Sequence, residues 1–177
     1  MDFEFSDEQR LLRESVDRLL ADHYGFAQRR GYLATPEGWS TALWSRYAEQ
    51  GLLGLPFAEQ YGGFGGGGIE TMLAMEAFGR VLALEPYLST VVLGGTALRL
   101  AGSAEQKSAI LPQIAEGNMT LTFAHGERQA RYDLSDVLTT AKPTGAGWVL
   151  DGAKSVVLHG DGTDRLIVSA RLSGERE

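Results

Sequence analysis

The side chains that could do chemistry are few and scattered. Three histidines occur, His23, His125 and His159, and no two stand four apart, as metal ligands on one helix face would. His159 shares a turn with Asp161 and Asp164, a spacing that could hold a cation but reads first as a solvated turn. His125 sits in a strand-like stretch beside Gly126 and Glu127. Two readings stay open for it: a histidine on a sheet rim, or one lining a ligand cleft. Glu127, Asp133 and Asp136 cluster in sequence, which by itself describes carboxylates on a solvated loop. Gly63, Gly65 and Gly68 formally match G-x-G-x-x-G. That pattern cradles a pyrophosphate only between a strand and a helix. A helix follows here, but residues 55–61 do not read as a buried strand, so a flexible interhelical loop is expected. There is no G-x-S-x-G elbow and no H-E-x-x-H helix. No catalytic dyad and no metal set is nominated.

The elements that must hold these residues fall into two groups. Ser6 to Gln9 is a capping box, followed by a stripe of Leu11, Leu12, Val16, Leu19 and Leu20. A second helix carries Trp39, Leu43, Trp44 and Tyr47 and stops at Gly51. Residues 69–82 have helical spacing up to the Glu85-Pro86 break. Residues 88–100 are apolar on nearly every side, which predicts a buried central helix within a helical unit over 3–117. Ser103 to Gln106 is a second capping box, opening a helix that ends at Gly117. After Asn118 the pattern changes. Residues 121–125, 137–141, 148–150, 154–158 and 165–171 read as strands, with a hairpin turn at Asp151-Gly152. The fold class is α+β, with an all-α region over 1–118 and an incomplete antiparallel, barrel-like β region over 119–177. Strand 165–171 is apolar and near the end of the chain, so an unpaired edge and an oligomeric state are expected.

Composition excludes several classes. The 177 residues carry a net charge of −7 with no basic run, which argues against nucleic-acid binding. There is no cysteine, so disulfides and thiolate–metal sites are impossible. No apolar stretch approaches the roughly 20 residues of a membrane span. The opening MDFEFSDEQR is acidic and lacks a signal core, which predicts a cytoplasmic protein.

Several strings, in order, resemble the acyl-CoA dehydrogenase family. Residues 52–63, L-L-G-L-P-F-A-E-Q-Y-G-G, are similar to that family's G-L-L-G-L-P-x-P-E-x-Y-G-G, with Ala58 in place of a proline. G-S-A-E-Q-K at 102–107, with Leu111-Pro112 and Gly117 after it, resembles G-S-E-E-Q-K…L-P…G. W-V-L-D-G-A-K at 148–154 resembles Y-V-L-N-G-x-K, and F-S-D-E-Q-R at 5–10 matches how such chains open. The resemblance implies an N-terminal helical domain, a middle β-domain and a C-terminal helical bundle. Only the first and most of the second are matched here, which suggests a fragment or a subunit. The family's catalytic glutamate falls in the unmatched part, so no residue of this chain is assigned as the base.

The resemblance also implies FAD, an acyl-CoA substrate, an electron-transfer acceptor, and a homo- or hetero-oligomer. It puts the cofactor-binding positions at Phe123, His125, Gly126, Tyr132, Val156 and Leu158. The family's Y/F-x-x-T-E-P-x-x-G-S-D lines up with residues 123–133. Gly126 stands for the threonine that bonds the flavin ring, and Tyr132 for the serine. Val156 stands for the tryptophan of x-W-I-T, and Leu158 for its threonine. Three lost side-chain partners at roughly 1 kcal/mol each would weaken flavin binding over a hundredfold. Two functions are therefore implied: an FAD-dependent α,β-desaturating subunit, or a non-catalytic subunit of a heteromeric dehydrogenase.

Overall fold

The computed structural model describes residues 4–174. Helices come first: α1 (Asp7–His23), α2 (Phe26–Leu33), α3 (Thr41–Glu49), α4 (Gly68–Val81), α5 (Thr96–Ala101) and α6 (Ala104–Ala115). Four short strands follow: β1 (Leu121–Ala124), β2 (Thr140–Thr144), β3 (Gly147–Asp151) and β4 (Arg165–Val168). The α+β order is as expected.

Both capping boxes form. Gln9 N–H donates to Ser6 Oγ at 3.2 Å while Gln9 Oε1 accepts from Ser6 N–H at 3.0 Å. Ser103 and Gln106 repeat the pattern at 3.2 and 2.9 Å. Each box satisfies two of the orphan N–H groups at a helix start. Gln9 also donates to Glu70 Oε1 at 2.7 Å, tying the start of α1 to the start of α4. Val16, Leu19 and Leu20 of α1 bury against the core with Leu43, Trp44 and Tyr47 of α3. Tyr47, Phe78 and Tyr87 form an aromatic column, with centroids 4.8 and 5.0 Å apart. Helix α2 was not expected. It buries none of its residues, so it carries no apolar stripe for a sequence reading to find.

Residues 88–100 differ from the expected all-round buried helix. Leu88–Gly95 is a π-helical stretch that passes into α5. Ser89, Thr90, Val91, Gly94, Gly95 and Leu98 are buried, whereas Leu93 is 37% exposed and Leu100 77%. Small and polar residues face inward because other chain segments approach closely. A Cβ on Gly94 would lie 2.8 Å from the Leu121 side chain of β1. Thr90 Oγ1 accepts from Leu121 N–H at 3.2 Å.

The glycine loop is not free. Phe64, Gly65 and Gly66 N–H groups donate to the carbonyls of Gly54, Phe57 and Leu55 at 3.2, 2.7 and 2.8 Å. A Cβ on Gly63 would meet Phe57 O at 2.2 Å, so glycine is there for contact with the preceding turn. What precedes the loop is a pair of 3₁₀ turns, not a strand, and the dinucleotide pattern has no structural support.

The strands correct three further expectations. β2 pairs antiparallel with β3, from Thr140↔Asp151 to Thr144↔Gly147, so the hairpin turns at Gly145-Ala146, not Asp151-Gly152. Gly152 has φ +156, and a Cβ there would lie 2.5 Å from Thr139 Oγ1; close packing explains that glycine. Residues 154–158 form no strand. β1 and β4 pair in parallel, Leu121↔Arg165 to Ala124↔Val168, where an antiparallel arrangement was expected. Among the described residues there are two two-stranded sheets and no closed barrel. Strand β4 is not wholly unpaired, but Leu166 is half exposed at the mouth of a cleft of about 560 Å³ between α5, α6 and β4. The last residues of the polar tail, 175–177, and residue 3 lie outside the described part. No described helix is long and apolar enough to cross a membrane.

Candidate cofactor site

Side chains alternate along β1. Thr122 and Ala124 point into the structure and are buried. Phe123 and His125 share the other face, their rings stacked with centroids 5.3 Å apart and planes 22° apart. Residues 154–158 run alongside this segment. Ser155 N–H donates to Gly126 O at 2.9 Å, and Thr122 Oγ1 donates to Leu158 O at 2.7 Å. Phe123, His125, Gly126, Val156 and Leu158 thus come together around the end of β1. Tyr132 is 99% exposed, in the loop between β1 and β2, and no contact joins it to the others.

Val156 has φ +54 and is 93% exposed. A β-branched residue rarely adopts that conformation, and such outliers gather where function demands a particular backbone path. The N–H groups of Val156, Val157 and Leu158 donate to no described residue, nor has His125 Nε2 any described partner. The end of β1 therefore presents two aromatic rings and a row of free N–H donors. That donor set fits the acceptor-rich edge of a planar heteroaromatic ring such as a flavin's. Gly126, Val156 and Leu158 contribute no side-chain donor, so hydrogen bonding there falls to backbone N–H groups and His125.

Beneath this rim lies the group that the sequence reading missed. Glu127 is not a solvated carboxylate. Its side chain is 2% exposed and pairs with Lys154, itself 8% exposed, at 2.6 Å. Glu127 Oε1 also accepts from Thr139 Oγ1 at 2.7 Å and Thr139 N–H at 3.0 Å. Its Oε2 accepts from Leu138 N–H and Gln129 Nε2, each at 2.7 Å. Burial alone would raise the Glu127 pKa. The Lys154 ammonium, the Thr139 hydroxyl and amide, and Gln129 outweigh it and hold the carboxyl well below its usual range. Lys154 Nζ further donates to His125 O at 3.2 Å and Ser169 Oγ at 3.0 Å. Ser169 Oγ is 2.9 Å from His125 Nδ1. The glutamate and lysine are both letters of the matched family strings, the one signal that could have exposed the pair.

Asp133, by contrast, is exposed and accepts from the Ser135 hydroxyl and N–H at 2.7 and 2.9 Å, which lower its pKa. The turn holding His159 is not simply solvated. Nε2 of His159 is 3.2 Å from Leu84 O and Nδ1 is 3.2 Å from Ser89 Oγ, fastening this turn to the helices. Among the described residues, no three His, Asp or Glu side chains converge as metal ligands.

Residues 6–118 match the acyl-CoA dehydrogenase N-terminal domain. The chain belongs to the acyl-CoA dehydrogenase family. The acyl-CoA dehydrogenase FadE12 of Mycobacterium tuberculosis is 31% identical over 172 residues, covering 94% of this chain but 42% of the relative. An acyl-CoA dehydrogenase from Bacillus anthracis, solved in complex with FAD, superposes with a TM-score of 0.86 at 27% identity, over 97% of this chain and 30% of that one. The ChsE4–ChsE5 complex of Mycobacterium tuberculosis gives 0.85 at 28% identity, over 97% and 46%. The chain spans less than half the length of these acyl-CoA dehydrogenases. Family membership accounts for the order of helices and strands.

Proposed function

We propose that this chain forms the flavin-ring side of an FAD-dependent acyl-CoA dehydrogenase that desaturates an acyl-CoA thioester between Cα and Cβ. Residues 1–118 would be its helical domain and 119–177 part of its β-domain. The observation that carries the reading is the rim at β1: stacked Phe123 and His125 beside the free N–H groups of Val156, Val157 and Leu158, in a chain of this family. Bound flavin would accept the substrate's β-hydrogen as hydride. Phe123 and His125 would contact the ring, and the 156–158 amides would donate to its acceptor edge. Gly126 would let the ring approach the backbone. The buried Glu127–Lys154 pair would set the path of β1 and of residues 154–158, so that these donors converge.

This chain would not perform the reaction alone. Among the described residues no carboxylate stands free at the rim: Glu127 is bound to Lys154, and Asp133 to Ser135. The base, an electron-transfer acceptor and the rest of the pocket would come from further protein, in the cytoplasm. A second reading, a non-catalytic subunit of a heteromeric dehydrogenase, is favoured by one observation. Val156, fully turned to solvent, offers no aromatic cover for a ring.

The test is a titration of the purified chain with FAD, followed by flavin fluorescence, and dye reduction with a panel of acyl-CoA thioesters. FAD uptake without turnover is the expected result. Turnover of the chain alone at an ordinary enzyme rate of roughly 1–1,000 per second would refute the division of labour.

A further inference from the structure

The hydrogen-bond inventory around Lys154 favours one tautomer of His125. An ammonium has three hydrogens and accepts nothing. Those of Lys154 have three acceptors: Glu127 Oε1 at 2.6 Å, His125 O at 3.2 Å and Ser169 Oγ at 3.0 Å. Ser169 Oγ is therefore an acceptor from Lys154 and keeps its own hydrogen to give away. The only acceptor described for that hydrogen is His125 Nδ1, 2.9 Å away. A hydrogen on Nδ1 would make Ser169 Oγ accept twice, from Lys154 and from His125, and leave the serine hydrogen with no described partner. The arrangement that satisfies every group has Nδ1 bare and the hydrogen on Nε2.

Nε2 is the ring atom with no partner among the described residues. The ring plane is held by stacking on Phe123, and the ring's other end by Ser169. The orientation is thus fixed from two sides, and Nε2 is left available. Resting on the flavin reading above, we propose that His125 is a pre-set hydrogen-bond donor, through Nε2–H, to a carbonyl or ring-nitrogen acceptor of the flavin. Ser169 and Lys154 are positioning residues that act through it. His125 supplies the side-chain donor that Gly126 and Leu158 lack.

The experiment uses the full chain labelled with ¹⁵N-histidine, with the signals of His125 assigned by their loss in His125→Gln. In the absence of FAD, the long-range ¹H–¹⁵N pattern of His125 is expected to show a bare Nδ1 and a protonated Nε2. FAD addition is expected to shift the Nε2 signal. Ser169→Ala should lose the single-tautomer pattern and weaken FAD binding about tenfold, the effect of one hydrogen bond, while Ser169→Thr restores both. Circular dichroism of Ser169→Ala identifies a variant that fails to fold, in which case the wild-type and Ser169→Thr spectra decide. A hydrogen on Nδ1 in the wild-type chain overturns the proposal. So does FAD uptake unchanged by Ser169→Ala. A wild-type chain that takes up no FAD overturns the flavin reading itself, and is seen separately because the tautomer is measured without FAD.

Discussion

The helical and strand regions are held together by different means. From α1 to α6 the interior is mainly apolar and aromatic, with Leu52, Leu53, Phe57, Leu111 and Ile114 fully buried and Ser40, Glu85, Ser89 and Thr90 as its buried polar residues. In the strand region many apolar side chains face outward. Trp148, Val149 and Leu150 of β3, and Leu166 of β4, are each at least half exposed. Beside the apolar Leu121, Ala124 and Ala141, what is buried there is polar: Thr120, Thr122, Glu127 and Thr139, with Lys154 nearly so. A hydrophobic core tolerates local change because its attraction is non-directional. A buried ion pair depends on every partner being present, since the loss of one strands a charge in a medium that cannot solvate it.

That contrast can be broken most directly at Lys154. Lys154→Met should destabilise the strand region by about 3–5 kcal/mol, because Glu127 is left buried without its counter-charge. Adding Glu127→Gln should recover part of the loss, since it removes the stranded charge, while its single amide oxygen can replace only one of the two oxygens that accept from Thr139 and from Leu138. Hydrogen exchange resolved by residue is the measurement. Collapse of protection in β1–β4 with α1–α6 intact is expected, and equal loss in both regions would show that the two are one cooperative unit.

A smaller effect should appear in acid. The Glu127 pKa is depressed in the folded chain relative to an unfolded glutamate, at about 4.3. Its stabilisation is complete above that value and declines as pH falls below it toward the folded pKa. Melting temperature measured from pH 6 downward should fall below about pH 4.3 in the wild type, and less steeply in the Glu127→Gln/Lys154→Met double variant. Parallel curves would contradict the assigned role of Glu127.

The smallest effect is expected at Leu93. A central buried helix would make Leu93→Asp cost several kcal/mol, but a residue 37% exposed can turn a carboxylate to water. The loss should be at most about 1 kcal/mol by urea unfolding. A loss above about 3 kcal/mol would restore the buried reading and make the π-helical stretch part of the core on all sides.

The helical region was largely legible in sequence because its signals are local. Ser6 and Ser103 cap with residues three positions on, and the stripe on α1 repeats every turn. Helix α2 escaped because none of its residues is fully buried and only Tyr32 packs against the core, and residues 88–95 misled because glycine and threonine, not leucine, face the core where β1 approaches. The hairpin was placed one strand too late, since Asp151-Gly152 carries the turn residues while Gly145-Ala146 makes the turn.

By itself the sequence determined the α+β order, the caps, most helices, the family resemblance and the positions to inspect for a flavin. The tertiary structure alone decided the parallel pairing of β1 with β4 across 44 residues, and the fate of Glu127. A carboxylate is solvated or buried according to what the rest of the chain brings to it. For Glu127 that partner is Lys154, 27 residues away, and the distance is closed only when β1 and residues 154–158 lie side by side. The same holds for His125: its type and place on a strand are written locally, but which nitrogen carries the hydrogen is set by Ser169, 44 residues along the chain.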